Sequence, residues 1–226
     1  MPKLNGKQDR CDASGRAYAG SQRQIQFFVN EQPKRLEQAI SNVLQRPFPL
    51  RWVSPLRENK YKEYRDYRFL DALGIGRFKK DLASFWPKGG PQWDALACVE
   101  DGTEGVLLLE AKSHVPEVRG GGCAATSDSS LRQIDAAIKL ARTWLQADSP
   151  LDWKGPLYQT ANRIAHLYFF REILGVEAWL VNVYFVDDPH STTSRRDWDL
   201  GLAVAKKDLG VAAIPFCVNV FLRAEG

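Results

Sequence analysis

The sequence Val106-Leu-Leu-Leu-Glu-Ala-Lys-Ser113 joins an unbroken apolar run to a carboxylate and an ammonium group. A run of four apolar residues favours a β-strand that is buried on both faces. Residues two apart in a strand point to the same face, so the side chains of Glu110 and Lys112 should lie side by side. A buried strand that ends in two such charges predicts a functional site rather than a solvated surface.

The segment before this strand predicts the other half of a β-hairpin. Trp93-Asp-Ala-Leu-Ala-Cys-Val-Glu100 is largely apolar, and the connection Asp101-Gly-Thr-Glu-Gly105 has a length and glycine content that hairpins use. If the two strands pair directly from the ends of this connection, Asp94 lies opposite Lys112 and diagonal to Glu110, on one face. Two carboxylates at this spacing can reach one cation.

The acid-x-lysine pattern alone is not specific, because the chain contains it three times. The copies are Glu58-Asn-Lys60, Glu110-Ala-Lys112 and Asp152-Trp-Lys154. Only the middle copy ends an apolar strand. The alternative interpretation is that Asp94 and the middle copy form a cross-strand salt bridge, which on a surface contributes about 0–1 kcal/mol.

Together, Trp93-Asp94 and Val106-Leu-Leu-Leu-Glu-Ala-Lys112 resemble the signature of the PD-(D/E)xK nuclease superfamily, with Trp93 where the pattern has proline. The resemblance implies an α/β (α+β) fold of the restriction-endonuclease-like type, a mixed β-sheet flanked by helices. In that superfamily the acidic residues bind a divalent cation, Mg²⁺ or Mn²⁺, and the lysine orients or activates the attacking water. Asp94 and Glu110, with the carbonyl of Ala111, would then be metal ligands, and Lys112 would act on the water.

Two further positions are candidates on predicted helices. Members of the superfamily often carry another acid before the hairpin, and Glu63, with Asp66 as the alternative, would take that role on a helix predicted from Glu58 to Leu73. On the later helix, polar residues recur at helical spacing, and Gln159 corresponds to a glutamine that some nuclease families use there. The polar line consists of Gln159, Asn162, Arg163 and His166. For both positions the alternative interpretation is a solvated helix face.

The rest of the chain alternates between strands and helices, which predicts a single domain over residues 21–226 after a flexible arm at residues 1–20. The expected strands are Gln22–Val29, Arg51–Pro55, Glu177–Val186 and Val211–Leu222, and Pro215 favours an edge position or a bulge for the last. The expected helices are Gln32–Val43, Arg77–Trp86, Leu131–Gln146, Leu157–Leu174 and Leu200–Asp208.

Composition and charge narrow the class of protein. The 226 residues are 44% hydrophobic and 26% charged, as in globular proteins. Residues 1–90 hold 18 Lys and Arg against 9 Asp and Glu, and residues 91–226 hold 13 against 18. A basic half beside an acidic half fits an enzyme that holds phosphates with one and a metal with the other, although both can also be solvated faces.

Other features of the sequence exclude several functions and suggest a location. The three histidines lack the H-E-x-x-H spacing of zinc hydrolases, and Gly74-Ile-Gly76 lacks the third glycine of a dinucleotide-binding loop. The four cysteines contain no C-x-x-C pair, which fits a reduced, cytoplasmic setting. No apolar run approaches the ~18 residues of a membrane span, and no signal peptide is evident.

The sequence therefore predicts a metal-dependent nuclease that acts on nucleic acid, with DNA favoured over RNA. Trp86 and Trp93, beside the predicted site, are candidates for stacking on bases. Cleavage of both DNA strands would favour a homodimer. The alternatives are a catalytically inactive nucleic-acid-binding module and a scaffold protein with the same fold.

Overall fold

The computed structural model describes residues 10–226, which form a mixed α/β domain. The strands are β1 (Leu50–Ser54), β2 (Tyr64–Arg65), β3 (Gln92–Trp93), β4 (Ala95–Val99), β5 (Val106–Lys112), β6 (Ala178–Val186) and β7 (Cys217–Arg223). The helices are α1 (Gly20–Glu31), α2 (Pro33–Leu44), α3 (Tyr67–Ala72), α4 (Lys79–Phe85), α5 (Asp128–Trp144), α6 (Tyr158–Tyr168) and α7 (Arg195–Leu209).

Five strands form one mixed sheet in the order β1-β4-β5-β6-β7, and β2 pairs with β3 separately. The β1–β4 and β4–β5 pairs are antiparallel, whereas β5–β6 and β6–β7 are parallel. Helices cover both faces of the sheet, so the predicted mixed sheet flanked by helices is confirmed. The last strand lies at the sheet edge, one of the two positions expected for it, but it begins at Cys217, so Pro215 lies before it and not within it.

The central strand, β5, is buried along its whole length, as the apolar run predicted. Leu107 and Leu109 point into the core beneath α1 and α2, whereas Val106 and Leu108 point into the core beneath α5 and α6. Because successive side chains of a strand point to opposite faces, Glu110 points to the same face as Val106 and Leu108, toward α5 and α6. The site therefore opens toward α6 and not toward α1.

The strand predicted over Gln22–Val29 is wrong, because this segment belongs to α1. Ile25, Phe28 and Val29 recur at the i, i+3 and i+4 spacing of a helix stripe and are all buried against the sheet. Ile25, Phe27 and Val29 in the same segment also alternate with a period of two, which suggested a strand. Burial of the helical stripe against the sheet favours the helix over the strand for this segment.

The long helix predicted from Glu58 to Leu73 is also wrong. Lys60, Tyr61 and Asp66 all have positive φ angles, which a right-handed helix does not allow. The chain instead forms a 3-10 turn, the short strand β2 and only then α3. Glu63 therefore lies just before β2, outside any helix.

The hairpin pairs in a different register from the predicted one. Ala95 pairs with Leu109, so the register places Asp94 level with Glu110 rather than opposite Lys112. The N–H of Glu100 bonds to the carbonyl of Pro49 instead of extending the hairpin. A shift of two residues keeps every side chain on its predicted face, so Asp94 and Glu110 remain on the same side.

The other predicted helices and strands are present with shifted ends. Of the predicted arm, residues 1–9 lie outside the described part of the chain. From residue 10 onward the chain turns back on α1, where the N–H of the buried Ala17 donates to Oε1 of Gln26 at 2.8 Å. Within residues 10–226, no helix has both the length and the apolar character that crossing a bilayer requires.

Candidate active site

The central group of the site is Glu110, which is only 5% exposed and touches two cations. Lys112 Nζ lies 2.9 Å from Oε1 of Glu110, and Arg163 Nε donates to its Oε2 at 2.7 Å. Gln159 Oε1 accepts a second hydrogen bond from Lys112 Nζ, at 2.9 Å. Glu110 and Lys112, near the end of β5, thus meet the polar line of α6, and Gln159 lies next to Lys112.

Asp94 lies at the bend between β3 and β4 and approaches the same end of β5. The β4–β5 pairing ends at Ala95 and Leu109, so the carboxylate of Asp94 accepts the N–H of Ala111, at 2.7 Å to Oδ2. The carbonyl of Leu109 also points to this side, where it accepts the N–H of Asp94. Because backbone groups alternate along a strand, the Ala111 carbonyl points to the Asp94 side as well.

The charges at this end of β5 are unevenly balanced. Burial and the negative charges of Glu110 and Glu63 hold the pKa of Asp94 well above its ordinary value. Burial alone would raise the pKa of Glu110 too, but the positive charges of Arg163 and Lys112 bring it below its ordinary value. The site therefore contains one carboxylate that is stabilised by cations and one that is not.

Glu63 is the third acid near Asp94 and Glu110, but it lies just before β2 and not on the predicted helix. Gln92 Nε2 donates to its Oε2 at 2.6 Å, and Gln22 Nε2 donates to its Oε1 at 3.0 Å. Burial and the nearby charge of Glu110 raise the pKa of Glu63. The antiparallel β2–β3 pair brings Glu63 beside Gln92, which a helical interpretation of the segment could not show.

Asp66, the alternative acid, does not join this group. Its Oδ1 accepts the backbone N–H groups of Gly89 and Gly90, at 2.9 and 3.0 Å. Asp66 therefore fixes the turn before β3, and Glu63 is the acid that faces Asp94 and Glu110. The feature that separates the two acids is the glycine pair after Lys88, because its two N–H groups bind Asp66.

The oxygen atoms of the site are of the kind that Mg²⁺ and Mn²⁺ prefer. Within residues 10–226, no group of three His, Cys, Asp or Glu side chains is arranged to hold a metal ion. Two carboxylates and the Ala111 carbonyl remain. Burial, and then the negative charges of Glu110 and Glu63, raise the pKa of Asp94, and a nearby cation would favour its charged form. A divalent cation could use both carboxylates only if Glu110 gave up its contact with Arg163 or Lys112.

A small cavity of about 30 Å³ borders Glu110, Lys112 and Gln159. A cavity needs about 10–15 Å³ of this kind of space to hold one water molecule. It adjoins a groove of about 430 Å³ over β6 and β7, and Asn182 lines both spaces. The groove therefore lies beside the cavity that Lys112 borders, on the β6–β7 side of the site.

His166, one turn beyond Arg163 on α6, is 1% exposed and neutral. Its Nδ1 lies 2.9 Å from the carbonyl oxygen of Asn162, and burial lowers the pKa of the imidazole to about 3. The ring packs against Trp93, and Arg163 lies over the same indole, 5.0 Å from its centroid. Trp93 thus separates His166 from the acidic group.

This buried imidazole predicts acid sensitivity. The pKa of His166 is about 6.5 in the unfolded chain and about 3 in the folded one. The unfolded state binds more protons between these values, so the free energy of unfolding should fall as the pH is lowered through this window. Between pH 7.5 and 4.5, wild type should lose about 2–3 kcal/mol more than His166→Phe, measured by urea unfolding. Equal losses in both proteins would show that His166 is not the group responsible.

Comparison with known proteins finds no protein-family model, no curated protein and no solved structure that matches this chain significantly. Only the geometry of the site can therefore indicate a function for this chain.

Proposed function

We propose that this chain is a metal-dependent phosphodiesterase of the PD-(D/E)xK type, with the restriction-endonuclease-like fold, that cleaves nucleic acid, with DNA as the favoured substrate. The observation that carries the proposal is the meeting of Asp94, Glu110 and Lys112 on one face at the end of a buried strand. The 2.9 Å contact between Lys112 and Glu110 and the raised pKa of Asp94 beside them support it.

Each residue has a separate role in the proposed reaction. Bound Mg²⁺ or Mn²⁺ would supply charge neutralisation at the phosphate and a more acidic water. Asp94, Glu110 and the Ala111 carbonyl would hold the cation. Lys112, whose ammonium is oriented by Gln159, would position the attacking water, for which the 30 Å³ cavity provides space.

Arg163 and Glu63 extend this arrangement on either side of the cation. Arg163, released from one contact with Glu110, would face negative charge that develops on the phosphate. Glu63, held by two amide groups, would remain beside Asp94 and could reach a second cation. Basic residues of the first ninety positions would hold the phosphates around the cleaved bond.

The proposal is tested by incubating plasmid DNA, single-stranded DNA and RNA with the protein, with Mg²⁺, Mn²⁺ or a chelator. Wild type should cut only with a cation, and Lys112→Ala should cut about 10²–10⁴-fold more slowly, because the water is no longer positioned. Lys154→Ala is the matched control, since Lys154 belongs to the third copy of the pattern and pairs with Asp135. Equal cutting by all three proteins would identify a contaminant and defeat the proposal.

A non-catalytic nucleic-acid-binding module is the second candidate. The observation that favours it is that both oxygens of Glu110 are already engaged, one by Lys112 and one by Arg163. Such a closed ion-pair group can be purely structural. This candidate predicts salt-dependent DNA binding that Mg²⁺ barely changes, with no cleavage under any of the conditions above.

A further inference from the structure

A second cavity, separate from the acidic group, lies between α3, α4 and the turn before β3, and has a volume of about 400 Å³. This size is within the range of small-molecule sites. Its walls are mainly apolar and include Tyr67, Leu82, Trp86 and Pro87, and the exposed Lys88 lies at its rim. We call this space the base pocket.

Two lining residues of the base pocket carry acceptors: Asp66, whose Oδ1 already binds Gly89 and Gly90, and the buried His166, whose Nε2 lies near Gly90. The carbonyl of Asn162 can only accept, so the nearby Nδ1 must carry the proton and Nε2 has a free lone pair. Within residues 10–226 no group donates a hydrogen bond to Nε2. A Cβ at Gly90 would lie 3.6 Å from Nε2 and 3.3 Å from Cδ1 of Trp86, so a side chain at this position would stand next to Nε2.

The rim of the pocket is held open by a strained residue. Asp66 has a φ of 54° and a ψ of −151°, a backbone conformation that costs a non-glycine residue energy. Its carboxylate binds the N–H groups of Gly89 and Gly90 and so fixes the turn that forms one side of the opening. The structure thus maintains an apolar cavity with an unused acceptor.

We propose that the base pocket binds an unpaired nucleobase that carries an exocyclic amino group, adenine or cytosine, and this inference rests on the proposed function. The amino group would donate to Nε2 of His166, and Tyr67 or Trp86 would contact the base plane. Base–aromatic stacking is a general mode of single-strand binding. Lys88 at the rim suits the attached phosphate.

The position of the pocket relates it to the acidic group. His166 follows Arg163 by three residues on α6, a rise of about 4.5 Å, and Arg163 contacts Glu110. The base pocket therefore lies one turn of α6 from the arginine that binds Glu110, with Trp93 between His166 and the acidic group.

The test is titration of metal-free wild type with AMP and with purine riboside 5′-monophosphate, which lacks the amino group, by calorimetry. AMP should bind about threefold to tenfold more tightly. Gly90→Ala should weaken AMP binding at least about tenfold, because the methyl group occupies the space at Nε2. Gly120→Ala is the matched control, since no atom lies within 4 Å of its added Cβ.

The outcomes separate this inference from the proposed function. If AMP binds as described but no variant or wild type cleaves DNA, the pocket is supported and the nuclease is not. Equal affinity for the two nucleotides, equal affinity in both glycine variants, or no nucleotide binding overturns the pocket whether or not the protein cleaves DNA. The comparison of the two nucleotides on wild type remains decisive if Gly90→Ala does not fold.

Discussion

Asp94→Asn should reduce metal-dependent DNA cleavage by at least about 10³-fold while making the metal-free protein more stable to heat. The loss follows because a cation at this site contributes several kcal/mol to catalysis, and each factor of ten in rate corresponds to about 1.4 kcal/mol. An amide is a much weaker metal ligand than a carboxylate. Cleavage is measured with saturating Mg²⁺ or Mn²⁺.

The gain in stability follows from the electrostatics of the site. Asp94 is buried and lies beside the negative charges of Glu110 and Glu63, and both effects raise its pKa. The asparagine oxygen can still accept the N–H of Ala111, so the replacement removes repulsion without losing this hydrogen bond. For a protein of this size, each 1 kcal/mol gained raises Tm by about 2–4 °C.

Asp152→Asn is the control for both effects, because Asp152 is an acid of the same local pattern in a turn away from the site. Its cleavage rate and its Tm should match those of wild type. An Asp94→Asn protein that cleaves as fast as wild type, or that melts at a lower temperature, would contradict the arrangement described here.

Glu110→Ala should lower the free energy of unfolding by about 3–5 kcal/mol. Glu110 compensates two nearly buried cations, Lys112 and Arg163, and removing it leaves both charges without their shared partner. Glu110→Gln should cost less, because the amide oxygen can still accept from one of them. Urea unfolding of the two variants and wild type measures the difference.

Glu58→Ala provides the matched control, because Glu58 is the acid of the first copy of the pattern and is exposed. A surface substitution of this kind should change the free energy of unfolding by no more than about 0.5 kcal/mol. A cost below about 1 kcal/mol for Glu110→Ala would mean that the buried ion pairs are screened or rearrange freely.

The part of the site on β5 could be predicted from sequence because its determinants are local. An unbroken apolar run identifies a doubly buried strand, and the two-residue period then places Glu110 and Lys112 on one face. The same argument placed Asp94 correctly by face even though the register differs by two. A register shift by an even number of residues leaves every side chain on the same face of the sheet. The face of a residue can therefore be predicted more reliably than its cross-strand partner.

The contacts that depend on tertiary structure could not be predicted in this way. The sequence shows Arg163 as one of the polar residues at helical spacing on α6. Only the packing of α6 on β5 shows that Arg163 binds Glu110. Glu63 reaches the site through the β2–β3 pair, which interrupts an apparent helix pattern. Gln22 holds Glu63 from α1, a segment whose short alternation suggested a strand.

The central claim is that Asp94 and Glu110 hold one divalent cation between them, and Mn²⁺ binding tests it most directly, because it requires neither substrate nor turnover. Free Mn²⁺ is measured by electron paramagnetic resonance while wild type, Asp94→Asn and Asp152→Asn are titrated. Wild type and Asp152→Asn should bind Mn²⁺ equally, and Asp94→Asn should bind at least about tenfold more weakly. Equal binding by all three proteins, or no binding by wild type, would contradict the claim.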